Sequence, residues 1–155
     1  MEIFYSLDAD AALSNLITLG VAYLLALPIG WNREREERSA GLRTFPLVAI
    51  ASCGFVMMAI QVIGAESEQQ SRIMEGLMTG IGFIGGGAIL KQGDRATGTA
   101  TAASLWATGA IGAAVGYGQL DIAVILSLVT VLTLILMTPL RKVVHDGTEL
   151  DQDKV

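Results

Sequence analysis

Apolar residues fall into five long stretches separated by short polar breaks, running from about Ala11 to Trp31, Leu42 to Gly64, Ile73 to Leu90, Thr99 to Tyr117, and Leu120 to Leu140. An α-helix needs about 20 such residues to cross a hydrocarbon layer of about 30 Å, so each stretch reads as a membrane span. The first, second and fifth are rich in large apolar residues. The third and fourth are built from Gly, Ala and Thr, yet neither holds a Lys, Arg or Asp in its middle. The expected fold class is therefore all-α: an integral membrane bundle of five transmembrane helices over residues 1–140, followed by a short tail over 141–155.

The charges orient this bundle. Arg33, Arg35, Arg38, Arg43, Lys91, Arg95, Arg141, Lys142 and Lys154 all lie on one side of a five-span chain, whereas Arg72 lies on the other with Glu2, Asp8, Asp10, Glu66, Glu68 and Asp121. Because Lys and Arg concentrate on the cytoplasmic side, the expectation is N-terminus out and C-terminus in. Four spans would destroy the asymmetry. Trp31, Tyr117 and Tyr5 fall near span ends, where aromatic belts form. The N-terminus lacks the basic region of a signal peptide, so the first span is expected to stay as a helix.

Composition narrows the function classes. Of 155 residues 52% are hydrophobic and 16% charged, and the spans leave no room for a separate soluble catalytic domain. With a net charge of -5 and no block of like charges, nothing supports nucleic-acid binding. The single cysteine, Cys53, gives neither a disulfide framework nor a Cys-based metal site and reads as a small packing residue. No cofactor and no metal are expected.

The third span contains a literal G-x-G-x-x-G from Gly80 to Gly85, but a dinucleotide site needs a βαβ unit and a later acidic residue, where this chain has Ala100, Thr101 and Ala102. Gly76/Gly80 and Gly82/Gly86 instead each form G-x-x-x-G, the spacing that lets helix backbones approach closely in lipid. On this reading Gly86→Leu should break a close contact and reduce folded protein. Two polar stripes share one spacing: Glu75, Thr79, Gly82 and Gly86 in the third span, and Thr97, Thr101, Ser104 and Thr108 in the fourth. Facing each other, they would make a polar seam that is either interhelical glue or a conduit, glue being the commoner use of membrane hydroxyls. Glu75 is either a functional intramembrane carboxylate or an interfacial group satisfied by Arg72 and water. Asn15 and Gln61 read as interhelical hydrogen-bonding amides. In the first basic loop, Arg33 with Glu37 and Glu34 with Arg38 form i,i+4 pairs, so the first helix is expected to continue beyond the membrane before Gly41 stops it. That loop is either a solvated turn or a docking patch beside Arg43 and Thr44.

Three motifs in this order carry a family resemblance: Gly30-Trp31-Asn32-Arg33-Glu34-Arg35 with Ala40-Gly41-Leu42-Arg43-Thr44, then Gly80 to Gly87, then Gly98 to Thr108. Over about Leu16 to Met137 the chain resembles the membrane domain of the MgtC/SapB family. Asn32 stands where that family usually has glutamate, Phe45 where histidine is frequent, and Thr99-Ala100 where Leu-Thr is usual. The resemblance implies a bacterial inner-membrane protein tied to growth at low magnesium, in some members a virulence factor that inhibits the F-type ATP synthase. It points to Arg33, Glu34, Gly41, Arg43 and Thr44 at the cytoplasmic entrance, and to Gly82, Thr101, Ser104 and Trp106 in the paired spans. Arg43→Ala should then spare yield and lose function. The soluble C-terminal domain of longer members has no counterpart in the 15 residues after Leu140.

The expected function is a non-enzymatic membrane regulator linked to low-magnesium adaptation, with membrane lipid, a second copy or another membrane protein such as ATP synthase as partner. The alternative is a small oligomeric magnesium or proton transporter using Glu75, Thr79, Thr101, Ser104 and Thr108. An intramembrane enzyme is disfavoured, since the only histidine, His145, lies in the tail and no nucleophile and base share the spans.

Overall fold

The computed structural model describes residues 8–36, 40–92 and 95–152, with side chains through residue 138 except Gln92 and Arg95. Its elements in order are α1 (Ala9–Arg35), α2 (Thr44–Ile63), α3 (Gln70–Gly87), β1 (Leu90–Gln92), β2 (Arg95–Thr97), α4 (Thr99–Gly116) and α5 (Leu120–Gln152). The Asp8 carboxylate caps α1 by accepting from Asp10 and Ala11 N–H, at 3.1 and 3.4 Å. The helix runs on to Arg35 as expected; its pairings with Glu37 and Arg38 lie outside the described residues. Between α3 and α4 stands an element that the apolar pattern does not contain, an antiparallel hairpin pairing Leu90 with Thr97 and Lys91 with Ala96. Residues 141–152, expected as a tail, continue α5.

Among the described residues three helices are long and apolar enough to cross a membrane: α1, α2 and α5 from Leu120 to Thr138. The fold accounts for the different character of α4, because it touches each of the other four helices. A helix surrounded by protein can trade Leu for Gly, Ala, Ser and Thr, whose small volumes let neighbouring backbones close in. Its buried residues include Thr101, Ser104, Thr108, Gly109 and Gly112. The outside is the reverse: Leu16 is 67% exposed, Val62 81% and Phe83 85%. Small residues within and large apolar ones without is the arrangement of a protein whose solvent is hydrocarbon.

Two ends can be distinguished. At one, the C-terminal turn of α1, the hairpin, the start of α4 and Thr138 of α5 surround a common cavity. At the other, the Tyr117 hydroxyl donates to Gln70 Oε1 at 2.9 Å and Gln70 Nε2 donates to the Gly64 carbonyl oxygen at 2.8 Å. This chain of bonds ties the ends of α2 and α4 to the start of α3, so the three alternate in direction. Midway, the Ser127 hydroxyl of α5 donates to the Leu25 carbonyl of α1 at 2.7 Å.

The expected polar seam between the third and fourth spans is not formed. Thr101, Ser104 and Thr108 are buried, but Glu75, Thr79, Gly82 and Gly86 all lie on the exposed face of α3. The face of α3 that meets α4 carries Ile81 and Gly85. A Cβ on Gly85 would lie 3.3 Å from the Ala102 carbonyl oxygen, and one on Gly109 would run into the Ile81 side chain, which therefore fills the space that Gly109 leaves. Each residue turns a helix by about 100°, so seating Ile81 and Gly85 on α4 turns Gly82 and Gly86 away. The α3 G-x-x-x-G pairs accordingly pack against nothing among the described residues. A Cβ on Gly76, Gly80, Gly82 or Gly86 meets no heavy atom within 4 Å, which removes the reason for Gly86→Leu to disrupt a contact inside the chain. Close approach falls instead to Gly112 and Gly116 of α4, where a Cβ would overlap the Ala49 and Cys53 backbone of α2.

Candidate functional site at the basic end

The first and third motifs converge at the α1 C-terminus. The chain after α1 folds back so closely that a Cβ on Gly41 would collide with the Glu34 carboxylate, while one on Gly30 would lie 3.3 Å from the Gly41 carbonyl. Glu34 Oε2 accepts from Leu42 N–H at 3.0 Å. The pattern Gly30, Glu34, Gly41 is thus a clasp: two bare positions allow contact and one carboxylate fixes it.

This clasp places Arg33 inward. The residue is 4% exposed, and its Nη2 donates to Asn32 Oδ1 at 2.8 Å. Asn32, at the position where a glutamate was anticipated, still supplies an oxygen to this guanidinium. Phe45, at the position of a frequent histidine, is fully buried and apolar. Arg33 lines a cavity of about 190 Å³ together with Thr97, Gly98, Thr101, Thr133 and Thr138. Gly98 adopts φ +87°, and a Cβ there would collide with the Ala88 carbonyl oxygen, so a side chain is excluded by conformation and by space. The following helix begins with no side chain capping it. The cavity therefore presents a cation and the free N–H end of α4, a pair that favours negative or strongly polar groups, while the Thr97, Thr133 and Thr138 hydroxyls on its wall already donate to backbone carbonyls.

The remaining anticipated residues divide among three places. Arg43 and Thr44 sit outside this cavity, on an apolar groove between α2 and α3. Glu75 and Thr79 are on the outer face of α3; the Thr79 hydroxyl donates to the Glu75 carbonyl at 2.8 Å, and neither Glu75 nor Arg72 forms an ion pair among the described residues. Ser104 and Thr108 lie deeper in α4, their hydroxyls closing on Ala100 and Ser104 carbonyls at 2.7 and 2.8 Å. Trp106, two residues from Ser104 and from Thr108 and therefore on the opposite side of α4, is half exposed. Sequence reasoning missed Thr133 and Thr138, whose signal was their polarity within the Leu- and Val-rich fifth span.

The geometry can be set beside known proteins. The MgtC family profile matches residues 19–143. Protein SrpB of Synechococcus elongatus is 40% identical over 126 residues, covering 74% of this chain and 69% of that protein. Uncharacterized protein slr0014 of Synechocystis sp. is 37% identical, covering 88% of this chain and 59% of its own length. Protein MgtC of Brucella abortus is 36% identical over 127 residues, covering 82% and 52%. The chain thus spans from about half to two thirds of the length of these relatives. No solved structure matches.

Proposed function

Because the chain belongs to the MgtC family, we propose that it is a non-enzymatic, multi-pass protein of a bacterial inner membrane that supports growth at low magnesium by contacting another membrane protein. The F-type ATP synthase is the first partner to test. In this reading all five helices cross the bilayer, with the Arg33 end in the cytoplasm. The distribution of Lys and Arg supports that orientation, as does the alternating direction of α2, α3 and α4.

The observation that carries the reading is where the polar groups point. Buried hydroxyls of α4 bond back to carbonyls of their own helix, while the stripe of Glu75, Thr79, Gly82 and Gly86 faces outward and is exposed among the described residues. Hydroxyls that bond back to their own helix are accounted for by packing alone, and no carboxylate faces them from α3. An outward stripe of small and polar residues is suited to receiving another helix.

The test pairs growth with flux. A deletion strain should regain growth and normal ATP levels at low magnesium when the chain is restored, and membrane pull-downs should return a partner other than the chain itself. Liposomes holding the purified protein should pass no magnesium, protons or potassium. A flux that Glu75→Gln abolishes would overturn the regulator in favour of a transporter.

A further inference from the structure

A second concavity, larger than the Arg33 cavity, lies away from it. Helices α2 and α3 diverge to leave an apolar groove of about 960 Å³, with Arg43 at one end and Arg72 at the other. Phe55, Leu77 and Ile84 contribute to its walls, and Gly76 and Gly80 keep it open by presenting no side chain. The 20 residues of α2 extend about 30 Å, the thickness of the hydrocarbon layer. Its bordering arginines therefore fall at the levels of the two headgroup regions. Both are exposed, and neither has an ion partner among the described residues.

We propose that this groove is a seat for a glycerophospholipid, its acyl chains along α2 and α3 and its phosphate on the Arg43 guanidinium. Charge and spacing select this occupant. A phosphate accepts two parallel N–H bonds from a guanidinium, and a lipid places that phosphate at the end of an apolar tail. A protein helix would need an acidic group in register with Arg43 and an apolar face for the rest. A bilayer supplies the phosphate at that depth without any such match. The proposal needs only that α2 crosses the bilayer, and its failure would leave the growth and flux outcomes above standing.

The experiment is native mass spectrometry of the full chain released from mild detergent after incubation with dioleoyl phosphatidylglycerol. A monomer with one retained lipid is expected. Arg43→Ala should lower the bound fraction at subsaturating lipid by about tenfold, the loss of a charge-assisted contact. Gly80→Phe should fill the groove and remove the adduct while leaving helix content and melting intact, because a side chain there starts in open space. Gly76→Leu provides a second block should the first variant fold poorly. Lys91→Ala, an exposed charge away from the groove, should leave binding unchanged. Equal retention by wild type, Arg43→Ala and a folded groove-filled variant would overturn the proposal. So would a protein dimer in place of the lipid adduct, or an equal loss with Lys91→Ala.

Discussion

Gly112→Ala adds one methyl group where the backbone of α4 meets the backbone of α2, in the most extensive helix pair among the described residues. The added carbon would lie 2.9 Å from the carbonyl carbon and Cα of Ala49 and would overlap its carbonyl oxygen, so the helices must separate by about 1 Å or more to restore ordinary contact. Backbone cannot rotate out of the way as a side chain end can. Overpacking of this kind costs about 3 kcal/mol at the upper end of its usual range, against about 1 kcal/mol gained from the helix preference of Ala over Gly. The expected net loss is about 2 kcal/mol, roughly thirtyfold in the folding equilibrium. Gly86→Ala provides the contrast: the same methyl, also in a glycine-rich helix, meets nothing and should be neutral or slightly stabilising. Gly109→Ala should fall between, because the obstructing atoms belong to the mobile end of the Ile81 side chain. Reversible unfolding of the three variants in bicelles measures the order. Wild-type stability in Gly112→Ala, or an equal loss in Gly86→Ala, would refute the assignment of the packing glycines.

Gly98→Ala combines a left-handed backbone with a blocked Cβ and should destabilise by about 2 kcal/mol, measured by the same unfolding assay. Ser127→Ala removes the α5 to α1 hydrogen bond and should cost about 0.6 kcal/mol, the usual worth of such a bond in lipid; a loss beyond about 2 kcal/mol would mean that it organises more than one contact. Arg33→Ala removes the cation from the cavity where two motifs meet and should abolish growth rescue at low magnesium, with Arg33→Lys restoring only part because it lacks the planar fork. Full rescue by Arg33→Ala in membranes that contain normal amounts of protein would separate the cavity from function.

The order of the helices and most of the breaks between them were legible because length and breakers determine them, whereas the continuation of α5 past Leu140 was not. The stretch from Thr99 to Tyr117 contains α4 almost to the residue, and Gly64 and Gly118, both at positive φ, stand in the breaks after α2 and α4. Helix rotation was not legible. In water an apolar stripe reports which face is inside, but in hydrocarbon the outer face is apolar as well, so the glycines of α3 and those of α4 look equivalent in the sequence. Gly112-x-x-x-Gly116 carries the close approach, whereas the more conspicuous α3 pairs border open space. The burial of Arg33 was hidden differently: a loop dense in both signs reads as solvated, whereas the residue is buried where α1 meets the start of α4 and the α5 residues Thr133 and Thr138. The hairpin was too short to register against the spans that flank it.

These placements change how the third motif is weighed. From Gly98 to Thr108 it reads as one run of small and hydroxylated residues, but the structure divides it by depth. Ser104 and Thr108 close their hydroxyls on their own helix, a use that any residue small enough to fit beside α1, α2 and α5 could approximate. The start of the motif, from Gly98 to Thr101, does something different, since it borders the cavity that holds the buried Arg33. A guanidinium is costly to bury beside apolar helices, and a stretch of helix that needed only to pack would hold an apolar residue there at no such cost. The requirement for a cation at that point therefore arises from the cavity rather than from the bundle. Substitutions in the motif should accordingly separate, those at its start changing activity and those toward Thr108 changing stability.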